Sequence, residues 1–138
     1  MSRIIKVEGN ARERNKKINQ VLSALDASFS EQALVEEEFL DIASFIAISL
    51  LEIYASIDAS AAAWEKRGYW VKADKYRLEW DWAERAGRKL EQAIISGDKT
   101  TITSTLAYIN EKLKPSHVLH KRQSKELWEG ARIKVKKG

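Results

Sequence analysis

From Ile18 to Glu65 the chain contains no lysine or arginine, and at the centre of that span lies Phe39 to Ile57, an apolar run whose only charges are Asp41 and Glu52. Nothing between Glu31 and Arg67 breaks a helix. The pattern therefore predicts one long, largely buried helix of roughly 37 residues, with Asp58 as the candidate position for a break or kink. Lys66-Arg67-Gly68 is the expected stop, because cations favour a helix C-terminus and glycine accepts the left-handed conformation just past it.

Two shorter patterns flank this element. Asn10 is expected to open a first helix in which Ile18, Val21, Leu22 and Leu25 recur at the spacing of one buried face, ending near Ala27. Beyond Gly68, the residues Tyr69, Ala73, Tyr76, Trp80, Ala83, Gly87, Leu90 and Ile94 alternate in steps of four and three, a heptad seam for pairing back onto the long helix. Ser96-Gly97-Asp98 supplies a stop and a new cap. Ile102, Leu106, Ile109 and Leu113 then make a shorter amphipathic helix halted before Pro115.

The fold class expected is all-α, a single-domain helical bundle built on a long antiparallel hairpin of residues 31–67 and 69–96 with two or three shorter helices. Residues 1–115 form the bundle and 116–138 a partly ordered basic segment. In that segment Leu127 and Trp128 anchor a short helix ending near Gly130, followed by a loose tail. The alternation Arg132-Ile-Lys-Val-Lys136 also permits a small strand paired with Arg3-Ile-Ile-Lys-Val7.

The net charge of +4 hides a segregated distribution: residues 1–27 sum to +3, 28–63 to −7, 64–95 to +2 and 96–138 to +6. Such a chain either neutralises itself on folding or offers its basic ends to a polyanion. Folding back at Gly68 brings equidistant residues together, which predicts ion pairs of Glu52 with Arg85 and of Asp58 with Arg77. The absence of cysteine excludes disulfides and thiolate metal sites. With no cationic start and short apolar run near Met1, the cytoplasm is the expected compartment.

Gly68-Tyr-Trp-Val-Lys-Ala73, preceded by the Trp64-x-x-x-Gly68 spacing, resembles the turn of a tetratricopeptide-like helical hairpin. The resemblance covers this one hairpin and implies its local geometry alone. Glu37-Glu38-Phe-Leu-Asp41 is similar to the first half of the magnesium-holding motif of helical nucleotide pyrophosphatases. The second half, Glu-x-x-Asp, has no counterpart at a sensible distance. His117 and His120 stand at HxxH spacing without a carboxylate or thiol to complete a metal shell.

A helix apolar around most of its circumference is not fully covered by three partners, which points to a homo-oligomer or a docking groove for another protein. The leading expectation is a small non-enzymatic protein-protein interaction or assembly module without a cofactor. Trp70 and Trp82, off the seam, and Trp128 are its candidate contacts.

An alternative is an accessory nucleic-acid-binding protein gripping phosphates without sequence specificity through Arg12, Arg14, Lys16, Lys17, Lys121, Arg122, Lys125, Arg132 and Lys134. A second alternative is a metal-dependent hydrolase using Glu37, Glu38 and Asp41. Membrane insertion of 39–57 is disfavoured, because Asp41 and Glu52 would each cost about 2 to 3 kcal/mol in a bilayer.

Overall fold

The computed structural model describes residues 7–29, 35–113 and 127–137, with side chains for 11–29, 35–113 and 127–136. Among the described residues five α-helices follow one another: α1 (Val7–Ser28), α2 (Glu36–Lys66), α3 (Trp70–Ser96), α4 (Lys99–Leu113) and α5 (Ala131–Lys137). Among the described residues there is no strand. The all-α hairpin bundle expected from the apolar spacing is therefore the architecture observed.

α2 is the central element. Ile42, Ile46, Leu50, Ile53 and Ile57 are fully buried on it, and α1, α3 and α5 all pack against it. It runs through Asp58 without a break and ends at Lys66, so the stop considered at Asp58 does not occur. Three acids, Glu36, Glu37 and Glu38, occupy its first turn, where the helix dipole favours negative charge.

The reversal is made by Gly68, at φ +87°, a conformation that glycine enters without a Cβ penalty. The Tyr69 and Gly68 N–H groups reach back to the Trp64 and Glu65 carbonyls, each at 2.9 Å. These bonds satisfy the open carbonyls at the end of α2. The second reversal repeats the device: Gly97 lies at φ +73°, and the Asp98 N–H donates to the Ala93 carbonyl at 2.9 Å. Asp98 then caps α4, its Oδ1 accepting the Thr101 N–H at 3.1 Å and its Oδ2 the Thr101 hydroxyl at 2.6 Å. These two bonds hold the exposed Asp98 carboxyl below its ordinary pKa, the hydroxyl bond contributing most.

The α3 seam is buried where the heptad pattern places Ala73, Ala83, Gly87, Leu90 and Ile94, with Tyr76 and Trp80 partly buried. Tyr69 departs from it. It precedes the first turn of α3 and is 56% exposed.

The C-terminal end also differs from expectation. Residues 131–137 are helical rather than a strand or a loose tail, and Trp128, Ala131 and Val135 are buried. The cause lies far away in sequence. The two carboxylate oxygens of Asp41 accept the backbone N–H groups of Gly130 and Arg132, each at 3.1 Å, fixing the start of α5 on the α2 surface.

Of the expected ion pairs, Asp58 and Arg77 meet at 2.8 Å. Glu52 does not reach Arg85. It faces α1 and binds Lys17 at 2.9 Å, while Arg85 pairs with Asp81 one turn earlier on its own helix. Among the described residues α2 is the helix long and apolar enough to cross a membrane, with 56% of its most apolar window buried.

Candidate functional site at the hairpin corner

The end of α2 and the start of α3 place four aromatic rings around one turn. Trp64 lies in the last turn of α2, Tyr69 at the N-terminal boundary of α3, Trp70 at its first position and Tyr76 one and a half turns on. The Trp64 and Tyr76 rings pack against each other at 5.0 Å between centroids. Each ring also carries a cation: Lys72 Nζ stands 4.4 Å from the Trp64 centroid, and Arg14 Cζ 5.6 Å from that of Tyr76. The four side chains form a continuous row, cation, ring, ring, cation, in which each charge sits over an electron-rich face.

Three members of this row, Lys72, Trp64 and Tyr76, line an open groove of about 740 Å³ together with Gly68, Tyr69, Trp70, Val71, Lys75 and one acid, Glu79. Its rim is unusually apolar for an outer surface, with Trp70 61% and Val71 71% exposed. Lys66, Arg67, Lys72 and Lys75 are exposed around the same turn. On the acidic side, Glu65 is already engaged: Arg77 donates to it through two nitrogens, at 2.6 and 3.2 Å. Hydrogen bonds to Glu65 and then Asp58 hold the Arg77 guanidinium above its usual pKa. Burial raises the Tyr76 phenol, and the Arg14 charge partly opposes that shift. An aromatic lining in which the ammonium groups of Lys72 and Lys75 outnumber the single carboxylate of Glu79 suits a ligand that is apolar at its centre and negative at its edge.

The residues proposed from sequence fall into distinct places. Trp70 is exposed at this corner. Trp82 is not a surface contact: it is 7% exposed, because α4 folds back over α3 and sets Tyr108 edge-on against it at 6.3 Å. Trp128, 5% exposed, is likewise withdrawn, covered as α5 docks on α2.

The basic residues divide in the same way. Arg14 is 6% exposed and donates to the Ser60 hydroxyl at 3.0 Å, so it is a packing residue of the α1–α2 contact and offers no phosphate site. Lys17 is bound to Glu52. Arg12, Lys16 and Lys134 are exposed, and Arg132 is partly buried at the α5 cap. Lys121, Arg122, Lys125, His117 and His120 lie outside the described residues.

Glu37, Glu38 and Asp41 line a cleft of about 310 Å³ with Trp128 and Glu129. Both oxygens of Asp41 are committed to backbone N–H groups there. Among the described residues no group of three or more His, Asp or Glu side chains is placed to hold a metal ion.

Sequence reasoning missed Tyr69 and Val71 as surface residues and the Lys72–Trp64 stack. A signal for the stack exists in the eight-residue spacing across a glycine turn, which returns α3 to the last turn of α2. No family model, curated protein or solved structure matches this chain.

Proposed function

We propose that the chain is a non-enzymatic protein-interaction module whose docking surface is the hairpin corner. The partner it suits is a chain segment with an aromatic or aliphatic anchor flanked by Asp or Glu. The observation that carries this reading is the exposed run Tyr69-Trp70-Val71, which lines one groove with the packed Trp64 and Tyr76 rings and with Lys72 and Lys75. Desolvated aromatic anchors supply most of the energy in interfaces of this kind, and rim charges steer and orient the partner.

The nucleic-acid alternative draws on the same surface, since Trp70 and Tyr69 beside lysines also suit base stacking. It is the weaker reading, because Arg14 is buried against Ser60, Lys17 is paired with Glu52 at the surface, and the remaining exposed cations of α1 lie on a separate element.

A random peptide library selected against the full-length protein tests the proposal. Enriched peptides should carry a large apolar residue between acids. Trp70→Ala should weaken them about thirtyfold, the consequence of losing an anchor of about 2 kcal/mol. Circular dichroism should stay unchanged, since Trp70 is 61% exposed. Enriched peptides that bind Trp70→Ala equally well, or a library with no enrichment, would reject the corner as a docking surface. Tight binding of a single-stranded oligonucleotide that Trp70→Ala abolishes would transfer the site to nucleic acid.

A further inference from the structure

A second groove, of about 360 Å³, lies between α3 and α4, away from the hairpin corner, and its lining joins Trp82, Arg85 and Lys89 of α3 to two hydroxyls and Tyr108 of α4. Arg85 and Lys89 stand one turn apart on α3, both exposed. Arg85 meets Asp81 through Nε at 3.2 Å with its side chain still 72% exposed, so the ion pair leaves most of the guanidinium available. Facing them on α4 are Ser104, Thr105 and Tyr108.

The two hydroxyls on α4 are in different states. Ser104 donates to the Thr101 carbonyl at 3.2 Å. Thr105 is 4% exposed, and among the described residues its Oγ1 is shielded from solvent without a hydrogen-bond partner. An unmade bond at a buried hydroxyl is costly, and a helical threonine has two accessible χ1 wells. A ligand oxygen at the groove floor would give this hydroxyl its missing acceptor.

The aromatic wall is Tyr108, 45% exposed and held edge-on by Trp82. Lys112 adds a third positive charge 5.9 Å from the Tyr108 ring. Paired cations with a hydroxyl donor form an oxyanion cradle, and the guanidinium fork matches phosphate oxygens. A flat wall beside that cradle suits a planar body attached to the anion, and the volume lies within the range of small-molecule sites.

From this arrangement we infer that the α3–α4 groove binds a small organic phosphate, a phosphate monoester carried on a planar ring system. Arg85 and Lys89 hold the phosphate, Thr105 donates to it and Tyr108 packs against the ring. The site is independent of the hairpin corner and of the partner proposed there.

Isothermal titration calorimetry of the full chain at low salt, with adenosine 5′-monophosphate as the probe and adenosine and inorganic phosphate as its two halves, tests the inference. The monophosphate should bind about tenfold or more tighter than either half, because cradle and wall act together. An R85Q/K89Q double variant should reduce its affinity to that of adenosine. Tyr108→Leu should reduce it to that of phosphate. Lys66→Gln with Lys72→Gln, at the corner, should leave it unchanged. No binding at millimolar monophosphate, equal binding in R85Q/K89Q, or a loss caused by the corner substitutions instead would each overturn the site.

Discussion

The carboxylate of Asp41 accepts the backbone N–H of Gly130, 89 positions later in the chain, at 3.1 Å, and with its other oxygen that of Arg132. One side chain on the central helix thereby sets where the last helix starts. Hydrogen bonds to a charged acceptor are stronger than neutral ones, and here both partners are main-chain groups that α5 leaves open at its first turn.

Asp41→Ala should therefore release α5 before the rest of the bundle. The expected loss is about 2 kcal/mol, with Asp41→Asn losing less because its amide oxygen still accepts one N–H. Hydrogen exchange of the Trp128 indole N–H and of the α5 amides measures this directly. Unchanged protection at Trp128 in Asp41→Ala would mean that apolar packing of Trp128 and Val135 alone holds the element.

At Gly87 the backbone of α3 lies close against α2. A Cβ there would meet Leu51 Cδ2 at 3.0 Å, Leu51 Cγ at 3.1 Å and the Ala47 carbonyl oxygen at 3.3 Å. Alanine is favoured over glycine in a helix by about 1 kcal/mol, yet the backbone oxygen of Ala47 cannot move aside alone. Steric cost should win, so that Gly87→Ala destabilises by about 1 kcal/mol or more. Leu51→Ala removes two of the three contacts, so the double variant should be more stable than the sum of the single losses. Denaturant melts of the four proteins decide it. A stabilised Gly87→Ala would show that the helices separate at little cost.

The α2–α3 hairpin was legible because its information is local or periodic. Gly68 follows two cations, and the steps of four and three from Ala73 to Ile94 need only one partner to make sense. Asp58 and Arg77 could be paired by counting outward from the turn. The same counting failed for Glu52, because it faces α1 rather than α3 and finds Lys17 there. Trp82 lies off the α3 seam, and from sequence only α2 was assigned to cover α3. A second cover, α4, reverses its exposure. Arg132 to Lys136 alternates like a strand, and what makes it helical is the Asp41 cap and the α2 surface, neither of which a window of neighbouring residues contains. At the corner, the cationic and aromatic composition was readable. The row from Lys72 through Trp64 and Tyr76 to Arg14 was not, because it joins three helices.

Asp98 provides a local titration test. Its carboxyl is held below the ordinary value of 3.8 by the Thr101 hydroxyl and N–H. A group whose folded pKa is depressed binds protons more readily when unfolded, so its contribution is present above the unfolded pKa and is lost as pH falls through the folded one. The α4 cap should thus hold at neutral pH and loosen below about pH 4. Side-chain carboxyl shifts followed by NMR should give Asp98 a midpoint below 3.8, moving toward 3.8 in Thr101→Val. A midpoint at or above that value in the unmodified chain would refute the cap as a charge-stabilised one.

Arg77 bridges two carboxylates from the opposite helix, and the two bonds should not be worth the same. Its contact with Glu65 is bidentate, with both side chains about one quarter exposed, whereas Asp58 is 56% exposed. Solvent screens the outer pair more, and exposed ion pairs contribute about 0 to 1 kcal/mol. Double-mutant cycles should therefore give a larger coupling for Arg77 with Glu65, about 1 kcal/mol, than for Arg77 with Asp58, and the Asp58 term should vanish first as salt is raised. Because Glu65 lies in the same final turn of α2 as Trp64, loss of this pair should also loosen the Trp64–Tyr76 floor of the corner. Arg77→Met should thus weaken corner-binding peptides as well as the hairpin. Equal couplings for the two acids, or peptide binding unaffected by Arg77→Met, would separate the hairpin clamp from the docking surface.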